Sequence, residues 1–394
     1  MDRQLQLRYP DPRLLALALG AFAVGTDGFM IAGLLPVIGT DLGASTALSA
    51  QLVTCFALTY ALLAPLAPLP TTRFDRARLL VGALTGLAIS NAIAALIQNL
   101  ALLLIIRMVA AYTPTAALIA SELVEPARRG RALSMISGGL TLAIVAGVPL
   151  GTLLGILAGW RATFIAVALL SAFAAATLAL TLPPMGASTA ISLRKRLSVV
   201  ARPEIRHTLL ITLLAIFAGY LGYSYIAPIA LASADIRGGG LSAILLLYGV
   251  GAVGGNFSCG RATDRFGPTR ALTSGSTALV AALLLLAALC ATSLPGAAPL
   301  TAAAALALSF GCWMISPPQQ HRLISLAPDI GATALSLNSS AIYVGLGLSG
   351  LLGALVLSTF GAGAICLLGA AIALLVLRLA SGASHLPIPE KESA

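Results

Sequence analysis

Between Leu14 and Pro36 the chain reads LLALALGAFAVGTDGFMIAGLLP, an apolar run interrupted by one acid, Asp27, close to its middle. As a helix rising about 1.5 Å per residue this run covers roughly 34 Å, enough to cross the hydrocarbon core of a bilayer with some tilt. An ionised side chain at that depth costs about 2.5–3.5 kcal/mol on insertion scales, so Asp27 needs a partner, a proton or water. The bland reading is an acid that only hydrogen-bonds a neighbouring helix. The sharper one is a functional site, which an acid at membrane depth marks by default.

The remainder of the chain is built from similar runs. Hydrophobic residues fill 59% of 394 positions and charged residues 9%, against roughly 25% charged in a soluble domain. Mean hydropathy is +0.99, which leaves no room for a large soluble domain. Further apolar spans are expected near 48–69, 79–97, 100–122, 133–157 and 161–182. After Pro183-Pro184-Met185-Gly186 and a basic stretch ending at Arg206, others follow near 207–233, 241–260, 271–292, 297–321, 333–358 and 363–381. The expected fold class is therefore an all-α integral membrane protein with twelve transmembrane helices in two six-helix bundles. Residues 1–182 would form the N-terminal bundle, 183–206 a cytoplasmic linker, and 207–394 the C-terminal bundle with a short tail.

The halves echo each other. Arg73-Phe74 with Arg78 after helix 2 matches Arg265-Phe266 with Arg270 after helix 8. Pro126 followed by Ala132-Leu133-Ser134 matches Pro328 followed by Ala334-Leu335-Ser336. Parallel six-helix repeats are an architecture of secondary transporters, with the substrate site near the midplane between them.

A net charge of +10 could suggest nucleic acid, but its distribution argues for membrane orientation. On a twelve-helix topology nearly all Lys and Arg fall on the side that holds the termini; only Arg161 and Arg237 lie opposite, and Arg107 lies within the membrane. By the positive-inside rule both termini are expected in the cytoplasm. The first apolar run is too long for a signal peptide and lacks a small-residue cleavage site. Cys55, Cys259, Cys290, Cys312 and Cys366 sit singly within apolar runs, without metal-ligand spacing and with no pair placed as a staple. They read as small buried residues. No metal and no cofactor is expected. His207, His321 and His385 lie near helix ends or in the tail, which disfavours a membrane-embedded enzyme. No Walker-type phosphate loop appears, so ATP is not expected to drive the protein.

Several ordered motifs now carry a resemblance. Gly260-Arg261-Ala262-Thr263-Asp264-Arg265-Phe266-Gly267-Pro268-Thr269-Arg270 is similar to the cytoplasmic loop signature of the major facilitator superfamily. In the first-half copy Pro68, Thr72 and Asp75 replace the expected Gly, Asp and Gly, while Arg73, Arg76 and Arg78 remain. Arg107 with Ala111 resembles the family's helix 4 arginine motif. Gly147-Val148-Pro149-Leu150-Gly151-Thr152-Leu153-Leu154-Gly155 resembles the helix 5 motif of its drug-efflux branch, and Gly159-Trp160-Arg161 follows as in many exporters. Gly25-Thr26-Asp27-Gly28-Phe29 resembles the branch's helix 1 pattern, with Gly28 where a second acid is common. The resemblance covers nearly the whole chain and points to the twelve-helix drug:proton antiporters and sugar-efflux proteins of bacteria.

It implies a proton-coupled transporter, not an enzyme, in the bacterial cytoplasmic (inner) membrane, exporting small amphipathic compounds such as drugs or antibiotics by alternating access. Export of a sugar or metabolite, or uptake by proton symport, are the alternatives. The expected partners are a small-molecule substrate, protons and the lipid bilayer, with no nucleic acid, and the chain is expected to act as a monomer. Burial raises a carboxyl's pKa and a nearby cation lowers it, so a carboxyl under both influences can titrate near neutral pH. Asp27 is expected to carry the coupling proton and Arg107 to tune it or relay through water, without the two having to touch. Arg73, Arg78, Asp264, Arg265 and Arg270 would latch the cytoplasmic side. Gly147, Pro149 and Gly151, with Gly155 and Gly159, would let helix 5 slide on helix 8 at Gly251, Gly254 and Gly255; static packing is the other reading. A cavity lined by helices 1, 4, 7 and 10 would bind substrate through Tyr220, Tyr223, Trp313, Gln320, Thr115 and Asn338, with Tyr343 and Asn256 as weaker candidates. Aromatic walls with a few hydroxyls and amides suit an amphipathic organic molecule.

Overall fold

In the computed structural model the described residues are 12–63, 75–111, 138–182, 200–292, 294, 296–326 and 331–382. Every regular element among them is helical: α1 Pro12–Asp41, α2 Thr46–Leu63, α3 Arg76–Leu96, α4 Leu100–Ala110, α5 Gly138–Ala158 and α6 Trp160–Thr181. These are followed by α7 Pro203–Ser224, α8 Gly239–Phe266, α9 Pro268–Thr292, α10 Ala298–Leu326, α11 Gly331–Phe360 and α12 Ala362–Gly382. Eleven are long and apolar enough to cross a bilayer by themselves, and α4 is a shorter apolar helix that ends at the edge of the described residues. Helices are what such a sequence must form in hydrocarbon, because they satisfy every interior N–H and C=O within one segment.

Burial confirms which solvent this surface is made for. Leu180, Leu96, Phe360 and Leu157 are each more than three-quarters exposed, while Asn91, Thr163, Ser171, Ser276, Ser309 and Gln319 are buried. Large apolar side chains outside and hydroxyls inside fit a protein bathed in lipid, where helix association depends on close packing and interhelical hydrogen bonds.

The chain forms two compact units. One comprises residues 1–191 with 236–249, the other 192–235 with 250–394, so the boundary falls inside α8. Within the first unit α6 packs on α3, α1 and α5, and α4 on α2 and α3. Within the second, α12 packs on α9, α7 and α11, and α10 on α9, α7 and α11. The neighbours of α6 thus reappear as the neighbours of α12, one repeat later. The turns repeat as well. Gly159 enters α6 at φ 83° and Gly361 enters α12 at φ 82°, a left-handed backbone that side chains beyond glycine rarely adopt.

Prolines mark the irregular places. Pro149 has no N–H for the carbonyl of Val145, and α5 answers with a π-turn over Ala143–Gly147, closed by Val148 N–H on the carbonyl of Ala143. Pro228 likewise denies Ser224 its donor, and α7 breaks at Tyr225 before resuming over Ile226–Ala234. The Tyr225 hydroxyl secures the break by donating to the carbonyl of Gly350 on α11. Pro36, by contrast, does not end α1, which continues to Asp41 beyond the span read from the sequence.

Candidate functional site

Asp27 and Arg107 meet. The guanidinium Nη1 donates to both carboxylate oxygens of Asp27, at 2.8 and 2.9 Å, and Nη2 donates to the Asp27 backbone carbonyl at 3.3 Å. Both residues are only 1% exposed. From α2, the Phe56 ring lies under the guanidinium, 4.5 Å from Cζ to the ring centroid, in cation–π geometry. Three helices therefore assemble the site: α1 gives the acid, α4 the base and α2 the aromatic floor. Arg107 Nε and the hydroxyls of Thr26 and Thr54 are buried with no hydrogen-bond partner among the described residues. Buried polar atoms are seldom left so, and such atoms are where a water or a polar ligand is held.

The arrangement has a chemical consequence. Without the carboxylate bonds Arg107 would keep the Asp27 carbonyl and the Phe56 ring as partners but would lose its counter-charge.

The other predicted residues are scattered in type. Tyr220 and Tyr223 stack edge to face, centroids 5.6 Å apart, and both are buried within the second unit. Trp313 is half-buried, and Gln320 is exposed, its amide donating to Ser316 Oγ at 3.3 Å. Its neighbour Gln319, not singled out in the sequence, is the buried one and ties α10 to α7 by donating to the carbonyl of Thr208 at 3.1 Å. Asn338 is buried with its Oδ1 unpartnered among the described residues; Tyr343 is half-buried and Asn256 exposed. Thr115 and Arg73 lie outside the described residues.

The loop motif shows what part of it is backbone chemistry. Gly267 takes φ 84° and turns the chain from α8 into α9, its N–H returning to the carbonyl of Thr263. Asp264, Arg265 and Arg270 are exposed, and among the described residues Asp264 makes no ion pair; Arg265 lies over the Phe266 ring instead. In the first-half copy Asp75 caps α3, accepting from the N–H of Arg78 at 3.1 Å, while the Arg78 side chain is exposed. That acid has become an N-cap.

The glycines of α5 lie against α1 and α6. A Cβ on Gly147 would overlap Thr26 Oγ1, one on Gly155 would overlap Leu34, and one on Gly151 would crowd Thr163, so these positions let α1 and α6 approach α5. Thr163 uses the closeness by donating to the Gly151 carbonyl at 2.7 Å. In the second unit Gly251 and Gly255 bring α8 against the backbone of α10. The α8 glycine that does lie on α5, inside the first unit, is Gly249, whose Cβ would fall 2.6 Å from Val145 Cα.

A second charged cluster escaped the sequence reading. At the far end of α1, Asp41 accepts from Trp160 Nε1 at 3.0 Å and from Arg161 Nη1 at 2.6 Å, while Arg161 Nη2 donates to the carbonyl of Ile97 at 3.1 Å. The guanidinium also stacks over the indole, 4.4 Å from its centroid. One signal was available: Arg161 is one of only two cations on its side of the topology, and Asp41 is an acid on that same side. The pair is a third to two-fifths exposed, so its worth is modest. Asp41→Ala, which removes the acceptor shared by Trp160 and Arg161 without touching the buried ring, should lower stability by about 1–2 kcal/mol in a denaturant titration. A loss of several kcal/mol would mean that this acceptor is the main tie at this end.

The motifs are those of one family, and comparison with known proteins agrees. A model described as Major Facilitator Superfamily matches residues 17–349. The chain is 30% identical over 348 residues to the uncharacterized MFS-type transporter YbcL of Bacillus subtilis, covering 86% of this chain and 88% of that one. It is 30% identical over 386 residues to the inner membrane transport protein YdhP of Escherichia coli O157:H7, covering 95% and 96%. It is also 34% identical over 262 residues to a chloramphenicol resistance protein of Streptomyces lividans, covering 64% and 67%. Among solved structures, the nucleoside transporter NupG superposes with a TM-score of 0.72 at 14% identity, covering 95% of this chain and 100% of that one, and so shares the fold. By its sequence and its twelve-helix fold, this chain belongs to the major facilitator superfamily of membrane transporters.

Proposed function

We propose that the protein exports a small amphipathic organic compound in exchange for protons, by alternating access, across the bacterial cytoplasmic membrane with both termini inside the cell. The observation that carries this reading is the Asp27–Arg107 pair, the two charged side chains that are buried among the described residues. A structural pair alone would be an expensive way to join helices in lipid, since each ion loses its hydration and mutual attraction repays that only with excellent geometry. A proton carrier needs such a place, a carboxyl shut away from water beside a fixed partner. Arg107 keeps the Asp27 carbonyl and the Phe56 ring as partners in both charge states of the acid. The proposed substrate class is supported by the chloramphenicol resistance relative and by the aromatic and amide side chains on α7 and α10.

The test is transport by purified protein in liposomes. With chloramphenicol as the first probe, uptake should rise when the lumen is acidic, because outward proton flow then drives the drug inward, and a protonophore should abolish the rise. Uptake that ignores the imposed gradient would remove proton coupling, and uptake that requires an acidic exterior would replace exchange by symport.

A further inference from the structure

Taken singly in the sequence, the five cysteines give no pair, but the packing of the second unit makes one. Cys290 lies two residues before the end of α9 and Cys366 in the first turns of α12, and these two helices pack against each other. A Cβ on Gly363, one turn before Cys366, would touch the Cys290 Cβ at 3.4 Å, so the two helix faces are in contact at this level. One turn on from Gly363 along the same face of α12, Cys366 sets its thiol beside that of Cys290. Cys290 is half-buried and its Sγ also faces the carbonyl of Ile229 at 3.8 Å, whereas Cys366 is fully buried. The remaining cysteines are committed elsewhere or distant: Cys259 donates to the carbonyl of Met314, Cys312 packs on Gly219 of α7, and Cys55 is in the other unit.

We infer that Cys290 and Cys366 are a redox-active dithiol that closes into a disulfide tying α12 to α9. The end of α9 that carries Cys290 is the one remote from the Asp264–Arg270 turn, and its placement on the outer face rests on the orientation proposed above. Disulfides persist in that compartment. The oxidant is a low-molecular-weight disulfide. The more accessible Cys290, as thiolate, attacks one sulfur of it, forming a mixed disulfide and expelling one thiolate, which takes the proton that Cys290 lost. Cys366 then gives up its proton and attacks the Cys290 sulfur, expelling the second thiol. Two cysteine thiols lose two electrons, one external disulfide gains them, and two protons leave on the two released thiols. The division of labour follows burial: the half-exposed thiol meets the oxidant and the buried one resolves.

Oxidised glutathione is the probe. The intact protein in detergent is treated, acid-quenched, denatured and alkylated with N-ethylmaleimide. Treatment should lower the mass by two hydrogens and leave three alkylated cysteines, where the untreated protein shows all five. Five alkylated cysteines after treatment, or glutathione retained on Cys290 beside a free Cys366, would overturn the proposal. Cys366→Ser should stop at the glutathione adduct on Cys290, and should that variant not fold, the count on the unmodified protein decides alone. In sealed right-side-out vesicles, oxidant added outside should give the same loss of two thiols. Closure in detergent but not in vesicles would refute the outward orientation and leave the thiol chemistry standing.

Discussion

Asp27→Asn is expected to abolish gradient-driven transport and to lower stability by about 3–5 kcal/mol, because it leaves the Arg107 guanidinium buried without a counter-charge. The two losses have different causes and can be separated. Asn is close to Asp in size and still accepts a hydrogen bond through its amide oxygen, so the helices need not move. What disappears is the negative charge that offsets the desolvation of Arg107 and the oxygen that would take up the proton. Combining Asp27→Asn with Arg107→Gln removes both buried charges and should restore most of the lost stability, since neutral pairs of similar size replace buried ion pairs with little penalty. The double variant should stay unable to accumulate substrate against a gradient while still exchanging substrate with substrate, a step that needs no net proton movement. Denaturation midpoints report the first effect, and liposome accumulation beside counterflow the second. Full accumulation by Asp27→Asn under an imposed pH gradient would sink the role given to this carboxyl.

How far the sequence reaches is clear from these same residues. The spans were legible because composition alone selects helices in lipid, and the repeat was legible from matching corners such as Arg73-Phe74 and Arg265-Phe266. Asp27 and Arg107 stood out because each charge breaks a long apolar run. Their direct contact did not, because they are 80 positions apart and the faces of α1 and α4 are set by packing around α2, which no local periodicity records. Phe56 could not be told from any other apolar residue of α2 until Arg107 was found above it. The helix 5 glycines were recognisable as a close-approach face, yet periodicity says only that a face is small and is silent about which helix fills it; α1 and α6 do. Pro149 was visible as a motif residue, but its π-turn is a response of the backbone to the missing N–H, seen only once the hydrogen bonds are traced. The thiols at 290 and 366 carried no spacing signal, because what joins them is the packing of α9 on α12.

The glycines of α8 give the other large expected effect, and they separate tight static packing from a sliding surface. On Gly251 and Gly255 a Cβ would overlap the backbone carbonyl oxygens of Leu306 and Phe310, atoms that can retreat only if α10 moves as a whole. On Gly254 it would meet nothing nearer than the Phe310 ring at 3.5 Å, an ordinary contact. Gly251→Ala and Gly255→Ala should therefore each destabilise the second unit by about 1–3 kcal/mol through overpacking. Gly254→Ala, with room to spare, should be neutral or stabilising by up to about 1 kcal/mol, because alanine is the better helix former. Thermal unfolding of the three purified variants reads the contrast directly. The side of α8 that lies on α5 belongs to Gly249, where a Cβ would likewise meet backbone, at Val145 and Ile144, so Gly249→Ala should destabilise the first unit by a similar amount. If Gly251→Ala and Gly255→Ala unfold with the parent protein and lose transport, these glycines would serve motion and the packing explanation would be wrong.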